Sequence, residues 1–344
     1  MTTYIIRRVL GFIPVLLGVM LFTFVMIRSI PGGPFDTEKG MPPQVKANIE
    51  AQYHLDWPMG KQFLSYVFGD DVVAIVTGDP EAWNGASRGI IRGDFGLSLQ
   101  YRGQTVADII KTTLPTSAQL GFLSVLFAVI IGVPLGIIAA LRQNTWIDYT
   151  ATFWAVFFLS VSNIVLAPLL IWIFSLRLGW FPVAGWGAKP PYLLGFIPRL
   201  ADWNMDFFLH AALPVFALAT ASAAGISRLT RATLLQVIRE DYIRTARAKG
   251  LHERAVIIIH ALKNSLIPVV TILGPIFAAL VTGTFIIESF FGINGLGKHF
   301  VQSVTNRDYT VLLGVTLLYS TFLVVANLMV DISYAWLDPR IRYD

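Results

Sequence analysis

Long apolar runs dominate the pattern of hydrophobic and polar positions along this chain. Six runs approach or exceed the about 20 residues that a helix needs to cross a hydrocarbon layer of about 30 Å. They cover residues 9–27, 117–141, 149–176, 207–226, 265–287 and 309–336. Five of the runs contain no Asp, Glu, Lys or Arg, and the sixth contains only Asp331. The pattern therefore predicts an all-α membrane protein with six transmembrane helices.

The composition agrees with a membrane protein. Only 14% of the 344 residues are charged and 55% are hydrophobic, whereas a soluble protein has about 25% charged residues. This argues against a soluble enzyme or a nucleic-acid-binding protein. The chain has no cysteine, which excludes disulfides, thiol catalysis and thiolate metal sites. Arg28 and a Pro-Gly-Gly-Pro turn follow the first run in place of a small-residue cleavage site, so we expect a retained helix rather than a signal peptide.

The distribution of basic residues predicts the orientation in the membrane. One set of connecting segments has 13 Lys and Arg in 61 positions, namely residues 1–8, 142–148, 227–264 and 337–344. The other set has 13 in 140 positions, namely residues 28–116, 177–206 and 288–308. Cytoplasmic loops are enriched in Lys and Arg, so the first set and both termini are expected in the cytoplasm. The net charge of +5 then reflects membrane topology rather than a polyanion partner.

The chain is expected to form one transmembrane domain with elaborated connections. It divides into an amino-terminal segment with the first helix, a large outer segment, a five-helix core and a cytoplasmic tail, at residues 1–30, 31–116, 117–336 and 337–344. The outer segment is acidic. Its Gly and Asp clusters predict turns, and residues 44–53 suit a short helix.

We find no convincing catalytic or metal-binding motif. Residues 292–299 read GINGLGKH and lack the Ser or Thr that completes a phosphate-binding loop, so we predict a glycine-built turn followed by a short interfacial helix at residues 298–303. Asp94-Phe95-Gly96 lacks the accompanying kinase motifs, and the five histidines form no HExxH pattern. The middles of the six runs lack ionisable groups, which argues against ion-coupled transport by this chain alone. His210 suits either a substrate contact or an interfacial position.

The inner segment, residues 227–264, has eight Lys and Arg against three acidic residues. Its sequence from residue 239 predicts a short helix that ends at a left-handed glycine. One face has Tyr242, Ala246 and Gly250, and the rest has Arg244, Arg247 and Lys249. Such a helix suits docking in a groove of another protein, and it equally suits anionic lipid headgroups. The residue pattern leaves both alternatives open.

A family resemblance favours the protein partner. The run DYIRTARAKGL at 241–251, followed by HALKNSLIP at 260–268, resembles the cytoplasmic coupling-loop signature of ATP-binding-cassette (ABC) importer permeases. It has the form of the dipeptide, oligopeptide and nickel branch, most strongly the B-type permease subunit of oligopeptide importers. Shorter similarities lie at residues 4–8, 31–35, 53–56, 93–96, 139–144, 292–297, 306–309 and 338–343.

Two departures from the family pattern limit what is carried over. Arg244-Thr245-Ala246 stands where the general importer signature begins Glu-Ala-Ala, so the role of that Glu is not assigned here. About twenty residues around 68–89 are inserted relative to the usual form, and their role is left open.

The resemblance implies a type I ABC importer permease fold in the bacterial inner membrane. It implies a non-catalytic subunit that forms half of a translocation path for oligopeptides and has no cofactor of its own. The implied partners are a second homologous permease, two cytoplasmic ATPase subunits that bind ATP and magnesium, and an extracytoplasmic peptide-binding protein. That protein would dock on the outer segment.

The same resemblance assigns seven residues to the ATPase contact. Tyr242, Ile243, Ala246 and Gly250 are expected to seat in the ATPase groove, with Arg244 and Arg247 at the rim and Lys249 in the same contact. The alternatives are a dipeptide, glutathione or nickel-chelate importer, or a membrane scaffold without a transport path.

Overall fold

A computed structural model of the chain describes residues 2–35, 42–79, 87–101, 103–192, 195, 197–199 and 202–337. Helix is the dominant structure, and no β-strand forms within these ranges. The predicted similarity at residues 338–343 lies outside the described residues, as does the middle of the inserted stretch.

The helices are numbered in chain order. They are α1 (Thr2–Arg28), α2 (Pro43–Gln52), α3 (Met59–Phe68), α4 (Asp70–Thr77), α5 (Val106–Leu141), α6 (Trp146–Ser160), α7 (Asn163–Leu170), α8 (Met205–Val237), α9 (Asp241–Ala248), α10 (Glu253–Ala255), α11 (Leu262–Ser265), α12 (Ile267–Val281), α13 (Phe285–Phe290), α14 (Leu296–Thr305) and α15 (Tyr309–Leu337). Wider π-helical turns at Ile171–Arg177 and Val256–Ala261 extend α7 and α10, and Ile90–Arg92 forms a 3₁₀ turn.

The predicted all-α membrane architecture is confirmed. Five helical segments of the described chain are long and apolar enough to cross a bilayer, namely Ile6–Arg28, Val106–Leu141, Met205–Val237, Ile267–Phe290 and Tyr309–Ser333. The helix pair α6 and α7 provides a sixth span if it is counted as one.

The third predicted span differs from the expectation of one continuous helix over residues 149–176. It breaks between α6 and α7 with a bend of 103°. Val161 and Ser162 have extended backbone there, and the Ser162 hydroxyl accepts the N–H of Ile164 at 3.4 Å as a helix cap. Ser160, Ser162 and Asn163 lie at the break, but they are uncharged and the flanking side chains are apolar, so hydropathy alone did not reveal it.

The fourth predicted span, residues 207–226, is the middle of a longer helix. α8 continues to Val237, so the first part of the inner segment is helical rather than a loop. Thr, Leu and Arg residues sustain the helix beyond the apolar run because helix propensity does not require apolar side chains. This continuity joins the inner segment rigidly to a transmembrane helix.

The chain forms two compact units. The first comprises Met1–Leu10, Leu114–Lys298 and Thr321–Asp344, and the second comprises Gly11–Thr113 and His299–Ser320. The main core of the first unit includes Leu120, Leu166, Phe207, Leu218 and Ile287, all buried. Burial of these side chains removes apolar surface from solvent and holds α5, α7, α8 and α13 together.

In the second unit, a cluster of Ile27, Phe35, Leu99, Tyr309 and Leu312 joins α1 to the start of α15. The predicted short helix at residues 44–53 corresponds to α2. Helices α3 and α4 were not predicted; they are short, and α4 buries Val73 and Ala74 against neighbouring apolar side chains.

The turn after α13 is built around the buried side chain of Glu288. Ser117 Oγ donates to its Oε1 at 2.7 Å, and the N–H of Lys298 donates to Oε2 at 3.1 Å. Ser117 Oγ also accepts the N–H of Leu296 at 2.8 Å. The glycine-built turn and the short helix predicted near residues 292–303 are confirmed, the helix being α14. The organising role of Glu288 was not foreseen.

Candidate functional site

The inner segment, residues 227–264, is helical for most of its length. It contains the end of α8, all of α9 and α10, a π-helical turn and most of α11. A tight turn separates α8 from α9, with the N–H of Glu240 donating to the carbonyl of Val237 at 3.1 Å. The predicted short helix is thus α9.

Local sequence explains where α9 begins and ends. Glu240 has extended backbone, and Asp241 places a negative charge in the first turn, where the helix dipole favours it. Arg247 lies in the last turn, where a cation is favoured. Gly250 has φ +76°, so the predicted left-handed end is confirmed.

The apolar face of α9 packs on the chain itself. Ile243 is fully buried and Ala246 is 7% exposed. Their cluster includes Leu234 of α8 together with Val256 and Ala261 of the π-helical turn. The sequence interpretation placed Ile243 and Ala246 in contact with a partner, but in this structure both side chains are already covered. Periodicity predicts that a face is buried, without indicating what buries it.

The other five assigned residues are exposed. They are Tyr242, Arg244, Arg247, Lys249 and Gly250. The Tyr242 ring is partly solvent-facing, and its hydroxyl accepts a hydrogen bond from Asn264 Nδ2 at 2.9 Å. This bond fixes the ring against α11. A fixed aromatic side chain with cations around it is a common composition for a protein contact.

Exposed apolar side chains continue this surface beyond α9. Leu251 is exposed after the helix, and Ile258 and Ile259 are each 63% exposed on the π-helical turn. Single exposed apolar residues are ordinary. Leu251, Ile258 and Ile259 are three such residues within the basic inner segment, and this favours a protein or lipid partner over bulk water.

Arg247 connects the end of α9 to α10. Its Nη2 and Nε donate to the two carboxylate oxygens of Glu253 at 2.7 and 3.1 Å. The Arg247 hydrogen bonds hold the pKa of the Glu253 carboxyl below its ordinary value. The carboxylate therefore stays ionised at neutral pH, and the paired ends of α9 and α10 clamp the turn at Gly250.

A second ion pair anchors the inner segment to the first turn of α6. Arg231 of α8 donates from Nε and Nη2 to the two oxygens of Asp148 at 2.6 and 2.7 Å. Asp148 is buried and also accepts the N–H of Asn144 at 3.0 Å. Sequence reasoning missed this pair, although Asp148 is the single acidic residue of segment 142–148.

Close helix packing reinforces the same anchor. A Cβ on Gly136 of α5 would lie 2.5 Å from the carbonyl oxygen of Ser227 and 2.6 Å from Cβ of Thr230. Only glycine permits this approach, which is typical of helices packed in membranes. α8 and α5 are therefore packed closely at the same level as the Asp148–Arg231 pair.

A surface groove of about 590 Å³ lies beside the start of α9. It is lined by Ala232, Leu235, Gln236, Arg239, Glu240 and Asp241. The groove mixes apolar and charged groups, as the rim of a protein contact does.

The described residues contain no group of three or more His, Asp or Glu side chains that would hold a metal ion. His210 Nδ1 lies 2.8 Å from the carbonyl oxygen of Asp206, within the first turns of α8. This local contact does not distinguish an interfacial histidine from a substrate contact.

Comparison with known proteins identifies the family. The sequence profile of the family described as "Binding-protein-dependent transport system inner membrane component" matches residues 132–343, and its amino-terminal counterpart matches residues 1–121. The oligopeptide transport system permease protein OppB of Haemophilus influenzae is 38% identical over 343 residues, 100% of both chains. The dipeptide transport system permease protein DppB of Bacillus subtilis is 39% identical, over 99% of this chain and 98% of its own.

A solved structure of the MetNI methionine ABC transporter, in inward-facing conformations, matches 64% of this chain and 94% of its own chain, with a TM-score of 0.48 and 19% identity. The family assignment rests on the sequence similarities. The chain is a multi-pass membrane protein, and it belongs to the inner membrane components of binding-protein-dependent transport systems.

Proposed function

We propose that this chain is a permease subunit of an ABC importer for oligopeptides. It would form half of the translocation path, with a second homologous permease forming the other half. The observation that carries the proposal is similarity over the whole chain, including the inner segment, to permeases named for oligopeptide transport. Two ATPase subunits would hydrolyse ATP, and an extracytoplasmic peptide-binding protein would deliver the cargo.

In this proposal the ATPase contact is the exposed part of α9 and its surroundings. Tyr242, Arg244, Arg247, Lys249 and Gly250 would meet the ATPase groove. Ile243 and Ala246 take a different role from the one expected from the sequence, because their burial anchors α9 to the permease. A helix fixed in this way moves with its own subunit when the ATPases close.

The Asp148–Arg231 pair supports a rigid connection from α9 to the membrane helices. ATPase closure would displace α9, and α8 would carry the displacement to α5 and α6. The transmembrane helices would then exchange between inward-open and outward-open states, with nucleotide shifting their populations.

Both termini are proposed to lie in the cytoplasm. Residues 31–115 are the proposed docking surface for the binding protein. Deleting the Gly- and Asp-rich part of this segment should spare basal ATP hydrolysis and abolish its stimulation by loaded binding protein. Retained stimulation would contradict the assignment.

Dipeptide import is the second candidate, favoured by the 39% identity to the Bacillus subtilis dipeptide permease. The two candidates differ in cargo length and share the mechanism. The discriminating experiment is uptake of labelled peptides of graded length in cells that lack only this chain, with and without the restored gene. Restored uptake of longer peptides supports the first candidate. Restored uptake of dipeptides alone supports the second, and restored uptake of neither overturns peptide import.

A further inference from the structure

Helix α4 exposes large apolar side chains although it lies outside the long apolar spans. Ile75 is 76% exposed and Val76 is 66% exposed. Together with Val72 they occupy positions i, i+3 and i+4, which share one face of a helix. Val73 and Ala74 are buried on another face, where they pack within the second unit. Apolar side chains therefore occupy both the packed face and the exposed face of α4.

Helix α2, which belongs to the same segment of residues 31–116, has a different surface. Its exposed side chains include Gln44, Asn48 and Gln52, which are polar and share one face. Val45 is also exposed, but a single exposed apolar residue is ordinary. A polar exposed face is typical of a helix in water. The contrast indicates that α4 has different surroundings from α2.

A contact between α3 and α1 sets the depth of this region relative to the membrane. The ring of Phe63 on α3 packs edge-on against the ring of Phe24 on α1, with 5.4 Å between their centroids. Phe24 lies one turn, or about 6 Å, before the end of the apolar span Ile6–Arg28. Helix α3 therefore lies level with the last turn of a membrane-spanning helix.

A second contact, after α4 in the chain, gives the same depth. A Cβ on Gly314 of α15 would lie 3.3 Å from Cδ1 of Phe95, so the Phe95 ring lies against that glycine. Thr310 Oγ1 donates to the carbonyl oxygen of Leu97 at 2.6 Å. Gly314 and Thr310 both lie in the first two turns of the apolar span Tyr309–Ser333. The chain on either side of α4 thus lies level with the ends of two spans.

Packing and polar contacts hold α4 close to these two points. Helix α4 packs directly on α3. Arg92 Nη1 donates to Asp71 at 2.7 Å, and the N–H of Ser87 donates to Asp70 at 2.8 Å. Packed helices lie about 8–10 Å apart, and the headgroup layer is roughly 5–8 Å deep on each side of the hydrocarbon. Helix α4 is therefore within reach of the lipid headgroups.

The 3₁₀ turn Ile90–Arg92 has a composition typical of a membrane surface. Ile91 is 65% exposed, and its neighbours Arg88 and Arg92 are exposed as well. Apolar side chains of this kind enter the boundary between headgroups and acyl chains, while the cations beside them remain at the level of the phosphates. The turn therefore extends the apolar surface of α4 and adds positive charge to it.

The described carboxylates of α4 and its end do not oppose such a contact. Asp71 pairs with Arg92, and Asp79 accepts a hydrogen bond from Lys61 Nζ at 2.7 Å. Asp70 is buried. The negative charges beside the exposed apolar face are therefore compensated within the protein and repel anionic lipid weakly.

We propose that α4 and the 3₁₀ turn dock on the surface of the lipid bilayer beside α1. Ile75, Val76 and Ile91 enter the layer between the headgroups and the first acyl carbons. The contact anchors the segment of residues 31–116 to the membrane and gives α4, which lies in the inserted stretch, a role. The proposal goes beyond peptide transport and depends neither on the cargo nor on the binding protein.

Spin-label accessibility in nanodiscs tests this contact. The chain has no cysteine, so Ile75→Cys, Val76→Cys and Ile91→Cys each give this subunit a single labelling site, and any cysteines of the other subunits are replaced beforehand. Oxygen concentrates in lipid, whereas a charged nickel chelate stays in water. We expect the ratio of oxygen to nickel collisions at all three positions to shift to that of phospholipids labelled near the glycerol backbone.

Asn48→Cys is the matched control, because Asn48 is exposed on α2 of the same segment. Its collision ratio should remain that of a label in water. A water-like ratio at Ile75 and Val76 would overturn the proposal. Few collisions with either reagent at these positions would overturn it as well, because a protein subunit would then cover the exposed face of α4.

Discussion

Asp148 and Arg231 join two parts of the chain that are far apart in sequence and functionally connected in our proposal. Asp148 is buried and accepts two hydrogen bonds from Arg231. It also accepts a hydrogen bond from the N–H of Asn144. Removing one partner of a buried pair leaves the other without compensation, which costs more than the pair itself contributes. The pair should therefore matter for both stability and coupling.

Asp148→Asn is expected to lower the free energy of unfolding of the permease by about 2 kcal/mol, because it removes charged hydrogen bonds from Arg231. Equilibrium unfolding in mixed detergent measures this. Arg228→Ala is the matched control, since Arg228 lies one turn earlier on α8 and is exposed. The exchanged pair Asp148→Arg with Arg231→Asp should recover part of the loss, and no recovery together with an equal effect at Arg228 would contradict the role.

Asp70 provides a pH-dependent contact in the second unit. Burial alone would raise the pKa of its carboxyl, but hydrogen bonds from His54, Ser65 and the N–H of Ser87 outweigh burial and lower it. The folded pKa is thus below the unfolded value of about 3.9. The stabilisation is fully present above the unfolded value and is lost as pH falls through the folded pKa.

The prediction concerns amide protection in α3 and α4, compared between the unmodified protein and Asp70→Asn at the same pH. At pH 6 the unmodified protein should be better protected, and the difference should shrink as the pH falls below about 4. Hydrogen exchange with mass spectrometry measures the amide exchange rates of α3 and α4 in the two proteins, and the ratio of these rates gives the difference in protection. Asp56→Asn, at an exposed position, is the control. A difference that stays constant down to low pH would show that ionisation of Asp70 has no part.

The turn between α13 and α14 depends on a hydrogen-bond network rather than on apolar packing alone. Ser117 at the start of the apolar part of α5 donates to Glu288 and accepts from Leu296. The Glu288 side chain is fully buried. Removing either Ser117 or Glu288 therefore leaves buried polar atoms of the remaining residues without a hydrogen-bond partner, which costs free energy.

A double-mutant cycle of Ser117→Ala and Glu288→Gln should therefore give a coupling energy of about 1–2 kcal/mol. Unfolding of the purified permease provides the four free energies. Glu288→Gln combined with Ser160→Ala should be additive, because Ser160 hydrogen-bonds within α6 and contacts neither group. If the effects of Ser117→Ala and Glu288→Gln were additive, the hydrogen bond between the two side chains would contribute nothing to the free energy of unfolding.

Helix α9 combines a face covered by its own subunit with a face that remains exposed. Ile243 and Ala246 belong to the covered face, and Tyr242 and Lys249 to the exposed one. Changes on the two faces should have different consequences. This difference separates a structural role from contact with the ATPase.

Tyr242→Ala and Lys249→Glu are expected to reduce peptide uptake by about tenfold or more, as losses at contact hot spots do, while the assembled permease remains folded. Ala246→Glu should instead destabilise the inner segment, because it places a carboxylate in an apolar cluster. Uptake and thermal unfolding are measured together. Arg142→Glu, a charge reversal at an exposed position in another basic connecting segment, is the control. Equal loss of uptake there would argue against a specific contact.

The sequence permitted correct prediction of the apolar spans, α2, α14, α9 and the left-handed Gly250. Each of these has a local signal, either apolar periodicity or a glycine. The break at Ser162 was missed because the polar residues there, Ser160, Ser162 and Asn163, are uncharged and lie within a long apolar stretch. The Asp148–Arg231 and Ser117–Glu288 contacts join residues distant in sequence, and a single sequence contains no local pattern for such pairs. Ile243 and Ala246 of α9 were predicted to lie in a contact. The sequence did not indicate that the covering residues belong to α8 and the π-helical turn of the same chain.

The importer as a whole is proposed to work by transmitting ATPase closure through α9 and α8. The permease has no motif for ATP binding of its own, and its inner segment presents a contact surface. In our proposal its energy comes from the ATPase subunits. Such coupling requires that α9 be held in the ATPase groove rather than rest on lipid, which is the alternative for an exposed basic helix.

Photo-crosslinking in the assembled importer distinguishes these two environments most directly. A photoreactive amino acid would replace Tyr242 or Lys249 on α9, with Ile75, 76% exposed on α4, as the control position. We predict adducts with the ATPase subunit from both positions on α9, with yields that change when ATP is added, and no ATPase adduct from Ile75. Adducts with lipid alone from Tyr242 and Lys249, or no adduct with the ATPase, would contradict coupling through α9.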